Sequence, residues 1–135
     1  MLKLIIGAKG SGKTKTLIEL VNGALNETNG SVVCIEKGDK LRFDISYKCR
    51  LIDTDEYAVF DAETLYGFVA GILASNHDVS DLFIDSALKI CGNDQAAFDN
   101  FLDKVATLVE KNNVNCVMTS SLPVENATDA EKKYL

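Results

Sequence analysis

Eight residues near the start of the chain, Gly7-Ala8-Lys9-Gly10-Ser11-Gly12-Lys13-Thr14, restrict its fold more than any other stretch. They fit the pattern G-x-x-x-x-G-K-[ST] at every fixed position. Before them, Leu2 to Ile6 read as a short, largely apolar strand. After them, Leu17, Ile18, Leu20, Val21, Ala24 and Leu25 recur at helical spacing, so the pattern lies between a strand and a helix. Glycines let the main chain turn tightly, and a helix that begins there adds unpaired N–H groups and about half a positive charge. An anion suits such a turn. Lys13 adds an ammonium, and Thr14 adds a hydroxyl able to bind a hard cation.

Downstream, helices and strands alternate. The first helix is expected from Lys13 to about Asn26, with Asn29-Gly30 as a turn and Ser31 to Ile35 as a strand buried on both faces. From about 41 to 58 the pattern changes: Leu41, Phe43 and Ile45 alternate with polar residues, which predicts a hairpin or edge pair inserted into the sheet. Asp61 is placed to cap a helix over Ala62 to Ser75, and Ser80 to Ile84 form a strand ending in Asp85. Asn93-Asp94 precede a helix over Gln95 to Lys111. The next strand runs from Val114 to Met118 and ends in Thr119-Ser120-Ser121. A polar tail, 122–135, completes the chain. The expected fold is α/β: a three-layer α/β/α sandwich in one domain, 1–135, around a mostly parallel sheet of about four core strands.

The loop with its flanking strand and helix resembles the P-loop NTPase superfamily. Asp85, ending an apolar strand downstream, resembles that superfamily's Walker B carboxylate, and the order of elements resembles the RecA-like branch, which includes thymidine kinases. The resemblance implies the strand order Ser31, Leu82, Cys116, Leu4. It also implies binding of ATP by Gly7, Ala8, Lys9, Gly10, Ser11, Gly12, Lys13 and Thr14, with Mg2+ on Thr14 and Asp85 and the γ-phosphate sensed by Thr119. The chain departs from the family beside Asp85, where Ser86 stands in place of the usual water-activating glutamate. Glu36, at the end of a neighbouring strand, is the candidate substitute, and turnover is expected to be slow. Three alternatives remain: a nucleotide-regulated binding module that does not hydrolyse, a small-molecule, nucleoside-type kinase, and a piece of a nucleic-acid motor. Thymidine-kinase zinc cysteine pairs and an arginine-rich lid are both missing, since Arg42 and Arg50 are the only arginines. Glu36-Lys37-Gly38-Asp39 only partly matches a guanine-reading motif and lies too early in the chain, so it is read as a solvated turn.

Charge narrows the partners. With a net charge of -6 and no basic run longer than Lys132-Lys133, nucleic acid is an unfavoured partner. The apolar stretch before Gly7 is too short to span a bilayer or to serve as a secretory leader, so a cytoplasmic protein without membrane contact is expected. Cys34, Cys49, Cys91 and Cys116 are widely spaced, which predicts free, buried thiols and no zinc site. The Leu4 strand would lie at a sheet edge. Either self-association or another partner, or the tail from Val124 onward, is expected to cover it.

Overall fold

A computed structural model of residues 1–135 places five strands in one parallel sheet, with helices on both faces. In chain order the elements are β1 (Leu2–Gly7), α1 (Lys13–Glu27), β2 (Ser31–Glu36), β3 (Arg50–Asp53), α2 (Ala62–Ser75), β4 (Val79–Ile84), the short α3 (Ala87–Ile90), α4 (Gln95–Lys111), β5 (Asn115–Ser121) and the single-turn α5 (Asp129–Lys132). The strands lie side by side as β1-β5-β4-β2-β3. The four expected core strands take the expected order, and a fifth is added beyond β2.

The layers follow from alternation along the central strands. Val33 and Ile35 of β2 face one way, into a core with Leu82 and Ile84 of β4, Leu65 and Val69 of α2, and Phe98 and Phe101 of α4. Val32 and Cys34 face the other way, against Leu17 and Val21 of α1 and Phe83 of β4. A strand apolar on both faces needs cover on both, and the helices supply it. Local signals set the helix starts: the Asp61 carboxylate accepts the Thr64 amide, the Thr64 hydroxyl accepts the Asp61 amide, and Asp94 accepts the amide of Ala97. Gly30 permits the close return into β2, where a Cβ would stand 2.6 Å from the Asp78 carbonyl oxygen.

The hairpin expected over 41–58 is not formed. Residues 39–45 turn instead, with the amides of Asp44 and Ile45 both donating to the Leu41 carbonyl. Leu41, Ile45 and Cys49, spaced four apart, are the residues buried against α1, while Phe43 is 83% exposed. The two-residue alternation was incidental to a set with a four-residue spacing. Only Arg50–Asp53 is extended, pairing parallel to β2 as the sheet's outer strand. β5 also runs further than expected, so Thr119 and Ser120 lie inside the strand and are buried. All four cysteines are buried and unpaired. No helix is long and apolar enough to cross a membrane.

The tail covers the open side of β1. The Leu122 amide donates to the Gly7 carbonyl at 3.0 Å, and the Leu4 amide donates to the Tyr134 carbonyl at 2.7 Å. In α5, Thr128 and Glu131 cap one another, and Gln95 Nε2 donates to both oxygens of the Glu131 carboxylate. Glu131 is fully buried; burial first, and then the adjoining Asp99 carboxyl, push its pKa up. Oδ1 of Asp99 is buried with no hydrogen-bond partner. Outside this contact, Tyr134 Oη and Lys133 Nζ both donate to Asp103 Oδ1, at 2.7 and 2.9 Å.

Candidate functional site

All five strands run the same way, so the loops that follow them gather along one edge of the sheet, where parallel α/β folds take their ligands. Gly7 and Ala8 lead from β1 into a bend that turns through Gly10 and Gly12, at φ 84° and 89°. Those left-handed values favour glycine. The Ser11 amide donates to the Ala8 carbonyl at 3.1 Å, which closes the bend. Lys13 opens α1 and folds back over it, with Nζ 2.9 Å from the Ala8 carbonyl oxygen and 3.5 Å from Ser11 Oγ. Gly12 has no side chain to cap α1, and the amides of Lys13, Thr14 and Lys15 have no partner in the protein. Unpaired amides, the positive end of a 15-residue helix and an ammonium converge there.

Asp85 directly follows β4, with its amide held by the Ile35 carbonyl at 2.9 Å. The side chain is nearly buried. Thr119 Oγ1 donates to its Oδ1 at 2.7 Å, and Thr14 Oγ1 lies 3.3 and 3.5 Å from Oδ1 and Oδ2. Thr119 Oγ1 also accepts the Ser86 amide at 2.9 Å, and Ser120 Oγ accepts the Leu88 amide at 3.2 Å. These bonds hold Ser86 at φ 57°, ψ 47°, a left-handed conformation. That conformation costs a non-glycine residue about 1–2 kcal/mol. The hydroxyls at the end of β5 therefore orient a carboxylate and fix the strained turn behind it.

No family model and no curated protein matches the chain.

A cleft of about 580 Å3 opens in front of the bend. Of the residues singled out from the sequence, Lys9, Gly10, Gly12, Lys13, Thr14 and Thr119 line it. Gly7, Ala8 and Ser11 shape the bend, and Asp85 is reached through Thr14 and Thr119. Glu36 is not among the lining residues. It is 2% exposed, and its Oε1 and Oε2 accept the amides of Lys40 and Leu41, each at 3.1 Å. Burial raises its pKa, the Leu41 and Lys40 amides oppose that, and the nearby charge of Asp85 adds to it. Glu36 thus braces the loop after β2. Neither arginine lines the cleft: Arg42 pairs with Asp39 at 3.1 Å, and Arg50 sits on the outer strand.

The structure adds three lysines to the cleft, Lys15 in the first turn of α1, Lys40 and Lys89. A usable signal was present, because Lys40 follows Glu36 by four residues and Lys89 follows Asp85 by four. Residues just past the carboxyl ends of neighbouring parallel strands reach the same edge.

Proposed function

We propose that this chain is a nucleoside-triphosphate-binding protein of the P-loop NTPase kind, RecA-like in its strand order, which takes Mg-ATP and turns it over slowly. The observation that carries the reading is the placement of Thr14, Asp85 and Thr119 in one hydrogen-bonded row beside the bend of free amides and Lys13. A triphosphate in the bend would give Lys13 a better partner than the neutral Ala8 carbonyl it now holds. Two neighbouring ligands of an octahedral Mg2+ ion stand about 3.0 Å apart when each bond is about 2.1 Å. Thr14 Oγ1 and Asp85 Oδ1, 3.3 Å apart, fit that spacing with little movement. Mg2+ held there would neutralise phosphate charge.

Slow turnover follows from the side chains near Asp85. Ser86 has no carboxylate to orient a water, and both oxygens of Glu36 are engaged by main-chain amides. That arrangement also favours the second reading, a nucleotide-regulated module that does not hydrolyse. Calorimetric titration with Mg-ATP tests the assignment. Wild-type protein should bind; Lys13→Ala, deprived of a charge-assisted hydrogen bond to phosphate, should bind at least about tenfold more weakly, with its unfolding temperature little changed. Equal affinities would refute the role of Lys13, and a phosphate-release assay on wild type would separate the two readings.

A further inference from the structure

We infer that the cleft selects the polyphosphate chain and is nearly indifferent to the base, so that it takes the triphosphates of all four common nucleosides, and inorganic tripolyphosphate, with similar affinity. The inference rests on the reading of the bend as a triphosphate site and states what that site recognises.

Five lysines line the cleft: Lys9, Lys13, Lys15, Lys40 and Lys89. They arrive from three separate stretches, namely the bend with the first turn of α1, the loop after β2, and α3. The ion pairs of the protein engage Lys37, Arg42, Lys132 and Lys133, and none engages these five. In a chain with 14 basic and 20 acidic residues, five lysines outside any ion pair around one cleft run against composition. No acidic residue is part of the cleft wall, and the one carboxylate next to it, Asp85, lies behind Thr14 and Thr119. Like charges so gathered repel one another, and a densely charged anion relieves that repulsion. All of that charge resides in the phosphates of a nucleotide and none in its base.

The rest of the wall agrees. Leu88 is the single apolar lining residue, and no aromatic ring lines the cleft. A base is held chiefly by stacking on apolar or aromatic faces. Phosphate, in contrast, meets side chains whose backbones are fixed. The Lys40 amide is tied to the buried Glu36 carboxylate, and the turn leading to Lys89 is tied to Thr119 and Ser120. Lys40 and Lys89 lie outside the Gly7–Thr14 pattern and would supply phosphate contacts of their own.

The test is calorimetric titration, at one ionic strength and with Mg2+ present, of ATP, GTP, CTP, UTP and inorganic tripolyphosphate. Dissociation constants within about tenfold of one another are expected. A double variant, Lys40→Ala with Lys89→Ala, should weaken all five ligands together by about tenfold, as removal of two exposed charge pairs requires. If ATP binds while the other nucleotides or tripolyphosphate bind more than tenfold more weakly, the inference is overturned and the triphosphate reading of the bend survives. If none of the five binds, that reading fails and takes the inference with it. An unweakened double variant with an unchanged unfolding temperature would overturn the role given to Lys40 and Lys89.

Discussion

Replacing the buried Glu131 by glutamine should stabilise the protein at neutral pH. The carboxylate accepts the Thr128 amide at 3.0 Å and Gln95 Nε2 at 3.0 and 3.2 Å, and it adjoins Asp99, whose Oδ1 has no partner. Burial, then Asp99, raise its pKa above the ordinary 4.5. The folded protein therefore holds this proton more tightly than the unfolded chain does. The stability it contributes is complete below pH 4.5 and is lost as pH rises through the raised value. In Glu131→Gln, the remaining oxygen still accepts the Thr128 amide, and the new amide can donate to Asp99 Oδ1 at every pH. Satisfying a buried carboxylate oxygen contributes about 1.5–3 kcal/mol, and giving up the Gln95 contact to Oε2, while the one to Oε1 stays, costs about 1 kcal/mol. The net is about 1 kcal/mol, or roughly 3 °C in unfolding temperature for a chain of this size. Urea unfolding followed by circular dichroism from pH 4 to pH 8 would read it. The two proteins should coincide near pH 4 and separate above it. Glu36, raised in the same direction, is common to both and cancels in the difference. A variant less stable at pH 8, or a gap that stays constant across the range, would refute the reasoning.

Three further substitutions probe the cleft and its frame. Asp85→Asn keeps an oxygen for Thr119 but removes the charge, so the gain in nucleotide affinity on adding Mg2+ should shrink about tenfold or more, with a smaller effect in EDTA; equal weakening in both conditions would count against a metal role. Thr119→Val leaves the Ser86 amide and Asp85 without their buried partner, a cost of about 2–4 kcal/mol in urea unfolding. A cost below about 1 kcal/mol would mean that the left-handed Ser86 is held by something else. Gly30→Ala forces a methyl to within 2.6 Å of the Asp78 carbonyl oxygen and should destabilise by about 1–3 kcal/mol. An unchanged unfolding midpoint would contradict that packing.

The strands and helices that could be read from the sequence were those whose apolar spacing matched a single burial geometry. β2 is a continuous apolar run because both its faces are covered, and α4 shows one stripe because one face is. Residues 39–49 misled because Leu41 and Ile45 satisfy both a two-residue and a four-residue spacing; only their packing against α1, which lies far away in sequence, decides between them. In the site, the Gly7–Thr14 bend was legible because it is local: its glycines, its turn and its helix start are neighbours in the chain. Asp85 was legible from its place at a strand end. Lys40 and Lys89 were marked only by position, four and five residues past the ends of β2 and β4, because the residue type is the same in a lysine that faces open solvent and in one that faces a cleft. Glu36 was placed at the right end of the right strand, but its direction depends on the main-chain amides that follow it.

The pairing of β1 bears on how the molecule is assembled during synthesis. The strand that leads into the bend finds its hydrogen-bonding partners only among residues more than a hundred positions later: β5 on one side, and Leu122 and Tyr134 on the other. A ribosome-bound fragment lacking those segments would carry the whole Gly7–Thr14 motif with no sheet to back it. Contacts of such long range close slowly. The earliest translated part of the cleft would thus be among the last to become able to hold a ligand.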